Sequence, residues 1–70
     1  MMRISARNKF KGIIKKITKG AVNAEVTIEL PDRLKVVSII TNASVKDLGL
    51  AVGKEAYAVI KATNVMIAVD

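Results

Sequence analysis

Ser5-Ala6-Arg7-Asn8 sets a hydroxyl, a guanidinium and a carboxamide within four residues, just ahead of the first hydrophobic segment. All three side chains donate hydrogen bonds and none is acidic. Two later clusters have the same character, Thr41-Asn42-Ala43-Ser44 and Lys61-Ala62-Thr63-Asn64. Convergent donors of this kind, together with free N–H groups at turns and helix starts, hold small oxyanions. The second cluster offers two hydroxyls and opens a predicted helical turn whose first N–H groups face outward. The missing carboxylate is also informative. Hydrogen phosphate carries a proton near neutral pH and is best held where an acceptor is present. A donor-only set favours a fully deprotonated tetrahedral dianion such as sulfate, molybdate or tungstate. The competing structural reading is that Ser44 caps a helix, Thr63 and Asn64 turn the chain, and Arg7 is solvated.

Other chemistries lack their residues. The chain has no histidine and no cysteine, which removes the commonest general base, the commonest zinc ligand, thiolate metal sites and disulfides. There is no Walker-type phosphate loop, and Glu25 and Glu29 share one strand face as solvated alternation. No nucleophile stands with a base, so the chain reads as a non-enzyme without cofactor or resident metal. Twelve Lys/Arg against six Asp/Glu give a net charge of +6, which favours anionic partners of any size. A basic nucleic-acid-binding module is the alternative. It needs aromatic platforms on which bases stack, and aromatics are 3% of this chain, Phe10 and Tyr57. Lys9, Lys11, Lys15, Lys16 and Lys19 read more simply as a cationic strand edge that blocks edge-to-edge pairing.

The elements that must position these donors are β-strands. Seventy residues make one domain, spanning 1–70, with a small core. Lys9 to Thr18 reads as a first strand, with Phe10, Gly12 and Ile14 on one face and Ile13 and Ile17 on the other. Gly12 suggests a bulge or a close backbone approach. Lys19-Gly20 is a turn signal. Ala24 to Leu30 alternates apolar with polar residues at period two, and Pro31-Asp32 ends it. Lys35 to Thr41 is β-branched and forms strand three. Asn42 or Ser44 is placed to cap a short helix through Val45 to Leu48, with Gly49 at the glycine position beyond its end and Leu48 and Leu50 plugging one end of the sheet. Glu55 to Thr63 is strand four, with its alanines on one face, and Val65 to Val69 a fifth. The predicted fold is all-β, a five-stranded OB-like barrel with one short helical turn between strands three and four. Apolar residues make up 51% of the chain, more than so small a core can bury, which predicts a homo-oligomer. Met1-Met2-Arg3-Ile4 runs into polar residues with no secretory h-region, and no apolar run nears the ~18 residues that span a bilayer. The expected location is the cytoplasm, with no membrane partner.

In five stretches the sequence resembles the molbindins, the single-domain Mop or TOBE-type molybdate-binding proteins. They are Ser5-Ala6-Arg7-Asn8, Lys19 to Val26, Ile40 to Val45, Asp47 to Leu50 with Gly53-Lys54-Glu55, and Ala58 to Ala62, in order over nearly the whole chain. The resemblance implies a hexamer, a trimer of dimers, binding molybdate or tungstate between subunits for intracellular storage or homeostasis, with no nucleic acid as partner. It implies that Ser5 and Arg7, with Ala6 between them, are first-strand ligands. Thr41 and Ser44 match its loop hydroxyls, and Lys61 with the Ala62 backbone its last contact. Thr63 stands where the family often has the first of two serines and keeps a hydroxyl on a stiffer side chain. Gly20-Ala21-Val22-Asn23, beside Lys19, matches the turn of a second oxyanion site in which backbone amides dominate. The turn between strands two and three, often glycine-rich in the family, is Pro31-Asp32-Arg33 here, which is expected to alter the hairpin and not the site.

Overall fold

Alternation in the sequence becomes a curled antiparallel sheet. The structure, a computed structural model, describes residues 3–70; Met1 and Met2, part of the stretch read above for a leader, lie outside the described residues. Strands β1 (Asn8–Lys19), β2 (Asn23–Glu29), β3 (Lys35–Thr41) and β4 (Glu55–Ile60) lie in the order β3-β2-β1-β4, and helix α1 (Asn42–Asp47) joins β3 to β4. Each neighbouring pair is antiparallel. In β2 the period-two pattern holds throughout: Ala24, Val26 and Ile28 are buried, while Glu25 faces solvent.

In β1 the two-face reading fails at a bulge. Ile14 pairs with Ile28 and Lys16 with Thr27, so Lys15 is an extra residue and the strand changes phase there. Ile17 therefore joins Ile14 against the core instead of lying on the opposite face. Gly12 marks the close approach expected of it, since a Cβ there would stand 2.5 Å from the Glu29 carbonyl oxygen. Phe10 is exposed at the sheet's rim.

The cap of helix α1 lies one residue before the first predicted cap, Asn42, and three before the second, Ser44. Thr41 is the N-cap, extended at φ −74° and ψ 153°, and its Oγ1 accepts the Ser44 N–H. The helix ends in a Schellman arrangement: Leu50 N–H reaches the Val45 carbonyl at 3.0 Å, Gly49 N–H reaches Lys46, and Gly49 takes φ +64°. Val45 is its buried residue. Leu50 packs against the core as predicted; Leu48 does not, being 69% exposed.

The structure corrects the end of the chain. Strand β4 stops at Ile60 and not at Thr63, because Ala62–Asn64 closes a 3-10 turn in which Asn64 N–H bonds the Lys61 carbonyl at 2.8 Å. That turn takes Val65–Val69 off the sheet, so the predicted fifth strand has no ladder partner and runs as exposed coil. The outer edges of β3 and β4 are left facing an apolar cleft of about 350 Å³, lined by Ile28, Val36, Val37, Tyr57, Ala58 and Ile60. The fold within the described chain is all-β and OB-like, with four strands and one short helix.

Candidate functional site

The first predicted donor cluster meets the third. Asn8 opens β1 opposite Ile60, the last residue of β4, and its Nδ2 donates to the Ile60 carbonyl at 3.2 Å. The carboxamide read in the sequence as a free donor is thus a brace that holds Ser5-Ala6-Arg7 beside the turn after β4. Ser5, Ala6, Arg7, Lys61, Ala62 and Thr63 line one open depression of about 480 Å³, with Ile4, Val59 and Asn64. No carboxylate borders it among the described residues. Arg7 and Lys61 are exposed and make no ion pair among the described residues. A tetrahedral dianion here would meet two cations and two hydroxyls, with no carboxylate among the lining residues.

Thr41 and Ser44 are not in this depression. Thr41 ends β3 opposite Asn23, and Lys19 pairs with Ala24, so both hydroxyls belong to the Lys19 end of β1. The Arg7–Lys61 group belongs to the Asn8 end of that 12-residue strand. One chain therefore does not bring the eight predicted residues of the first site together; it holds two halves at opposite ends of β1. Thr41 Oγ1 donates to Ser44 Oγ at 2.9 Å while accepting Ser44 N–H at 3.0 Å. That N–H, counted in the sequence among the outward-facing donors, is used by the cap.

The second predicted set is also divided. Lys19 and Gly20 border a depression of about 660 Å³ with Asn42 and Lys46, whereas Ala21, Val22 and Asn23 do not line it. The turn is fixed by bonds the sequence did not reveal. Gly20 N–H donates to the Asn23 carbonyl at 2.7 Å, Asn42 N–H to the Val22 carbonyl at 2.8 Å, and Asn42 Nδ2 to the Gly20 carbonyl at 2.9 Å. Asn42 is the residue that sequence reasoning missed. It was visible as a candidate cap, and nothing local to it shows that its side chain reaches a turn 22 positions earlier.

Of the strand-one lysines, two are engaged elsewhere. Lys11 Nζ lies 3.2 Å from Glu55, whose hydrogen bond and negative charge hold the ammonium pKa above its ordinary value. Lys15 Nζ lies 3.8 Å from Glu29. The two aromatics cannot form a stacking platform. Phe10 pairs with Ala58 and Tyr57 with Lys11, which sets the rings on opposite faces of the sheet.

The TOBE domain family profile matches residues 4–67. The chain is 51% identical over 69 residues to a probable molybdenum-pterin-binding protein of Haemophilus influenzae, covering 99% of this chain and 100% of that one. In structure it is similar to MopII from Clostridium pasteurianum, with a TM-score of 0.91 at 46% identity over 96% of this chain and 100% of that chain. It is also similar to ModG, a cytoplasmic molybdate-binding protein solved with molybdate bound, with a TM-score of 0.89 at 49% identity; the match covers 93% of this chain and 46% of ModG.

Proposed function

This chain belongs to the TOBE domain family, and from that premise we propose that it reversibly binds molybdate or tungstate, as one module over residues 1–70. The observation that carries this is the depression lined by Ser5, Arg7, Lys61, Ala62 and Thr63, with no carboxylate among its lining and neither cation in an ion pair among the described residues. Charge-assisted hydrogen bonds contribute about 1.5–3 kcal/mol each. Several of them together reach the ~8 kcal/mol of a micromolar site after association costs. The function is storage or homeostasis of the oxyanion, not chemistry on it, in keeping with relatives named for binding. Its place is the cytoplasm, where the similar ModG is described. No helix among the described residues is long and apolar enough to cross a membrane.

The site is completed between copies. Thr41 and Ser44 of one chain add two further hydroxyls to the Arg7–Lys61 half of another, in a homo-oligomer, a hexamer built as a trimer of dimers. In that assembly the Val65–Val69 tail of one copy serves as the fifth strand of a neighbour's barrel, filling the cleft between β3 and β4. A second site lies on the outer side of the Lys19–Asn23 turn, where backbone amides do most of the binding.

Arg7→Ala tests the function. It removes one of two neutralising charges from an exposed segment, so molybdate affinity falls at least tenfold by titration calorimetry while native mass spectrometry shows the same assembly. Unchanged affinity in that variant refutes the site.

A further inference from the structure

The β1–β2 turn has to show an oxyanion its N–H groups, and something must keep its carbonyls turned away. Resting on the second site proposed above, we propose that Asn42 is the positioning residue that sets the Gly20–Ala21 peptide plane, so that this turn offers an N–H and not a carbonyl oxygen. The peptide is trans and planar, so the N–H of Ala21 points opposite to the C=O of Gly20. That carbonyl is held by Asn42 Nδ2 at 2.9 Å. Ala21 N–H therefore faces away from α1, on the exposed side of the turn, and has no acceptor among the described residues. The neighbouring Val22 carbonyl is held in the same direction by Asn42 N–H at 2.8 Å. Two carbonyl oxygens that would repel an anion are thus both committed to one residue.

The carboxamide has a single orientation that does this. Turned over, it would set its own oxygen against the Gly20 oxygen. As it stands, Asn42 Oδ1 is buried with no hydrogen-bond partner among the described residues. An unsatisfied buried acceptor is disfavoured, and an alanine at this position would not leave one. What the asparagine gains in return is the hold on Gly20. Asn42 also follows Thr41 directly, so the brace for the second site is one residue from a hydroxyl of the first.

The test is calorimetric titration of molybdate into wild type, Asn42→Ala and Asn42→Asp, with native mass spectrometry of each. Wild type shows two classes of site. Asn42→Ala weakens the turn class at least tenfold and leaves the Arg7-dependent class within threefold, in an assembly of unchanged size; Asn42→Asp, which also adds a negative charge, weakens the turn class further. A residue that merely stabilised the fold would weaken both classes together. Two classes that both ignore Asn42→Ala overturn the role of Asn42 and leave the second site standing. A single class in wild type, with Arg7 accounting for all of it, overturns the second site and this inference with it. If Asn42→Ala does not assemble, Ala21→Pro takes its place, because it deletes the N–H and leaves Asn42 intact. Loss of the turn class supports the assignment, and its retention overturns it.

Discussion

Thr41 and Ser44 have unequal parts to play, although the sequence shows them only as two hydroxyls. Thr41 Oγ1 both accepts the Ser44 N–H and donates to Ser44 Oγ, so its proton is spent inside the loop. The Ser44 proton is the one left for an oxyanion, and the bond arriving from Thr41 polarises it further. Ser44→Ala therefore weakens molybdate binding by about tenfold, the effect of one hydrogen bond of ~1.4 kcal/mol. Thr41→Ser keeps the relay and the cap and stays within threefold. Calorimetry on the two variants decides it; equal losses, or none in Ser44→Ala, would remove the relay. The residue types of this proposed site are visible in the sequence. Their roles are not, because a cap is assigned by one backbone ψ angle, and the reach of Asn42 depends on which turn folds beside it.

The bulge and the hairpin show where elements escape a sequence reading. Ile13-Ile14-Lys15-Lys16-Ile17 satisfies two phases of alternation, so only pairing with β2 reveals that Lys15 is the extra residue. In β2 a single phase is apolar, and its extent was legible to within a residue or so. The Pro31–Arg33 turn closes without glycine. Asp32 and Arg33 both adopt left-handed backbone, at φ +69° and +62°. Aspartate tolerates this region better than most residues. A long side chain such as arginine costs roughly 1–2 kcal/mol there, of which glycine's greater unfolded-state freedom returns about half. Arg33 is exposed and makes no ion pair among the described residues. Arg33→Gly therefore stabilises the protein by about 0.5–1 kcal/mol, read as a higher denaturation midpoint at fixed protein concentration. Molybdate affinity stays unchanged, since the turn lines no part of the proposed sites. A lower midpoint would mean that the hairpin is not strained.

At the scale of the whole molecule, exposed apolar surface outweighs the core. Among the described residues six hydrophobic side chains are buried, and only Ile14 completely, while Met66, Ile67 and Val69 are about nine-tenths exposed. Val37 on β3, and Tyr57 and Val59 on β4, are also exposed and line the cleft between those strands, and Ile39 is exposed further along β3. A free sheet edge next to apolar surface is a template for another strand. The tail is a continuous apolar run, in which an extended chain would set Val65, Ile67 and Val69 on one side and Met66 and Ala68 on the other. The sequence marked this segment as a strand because its pattern is that of one; its own chain leaves it unpaired because the Ala62–Asn64 turn carries it off the sheet. Strand character and strand partner are separate properties, and the second is not written locally. Ile67→Lys separates them. It places a charge where the tail would enter a neighbour's cleft, at a position that contacts nothing in its own core. The single chain should fold, giving an unchanged β-sheet signal in circular dichroism, while native mass spectrometry shows monomer in place of the assembly. Molybdate binding should fall by at least a hundredfold, because Arg7 and Lys61 then lack the Thr41 and Ser44 of a second copy. Arg7→Ala is the converse case, weakening binding with assembly kept. An Ile67→Lys protein that still assembles at micromolar concentration would show that the tail is not the fifth strand. A monomer that still binds molybdate tightly would show that each chain carries its whole site.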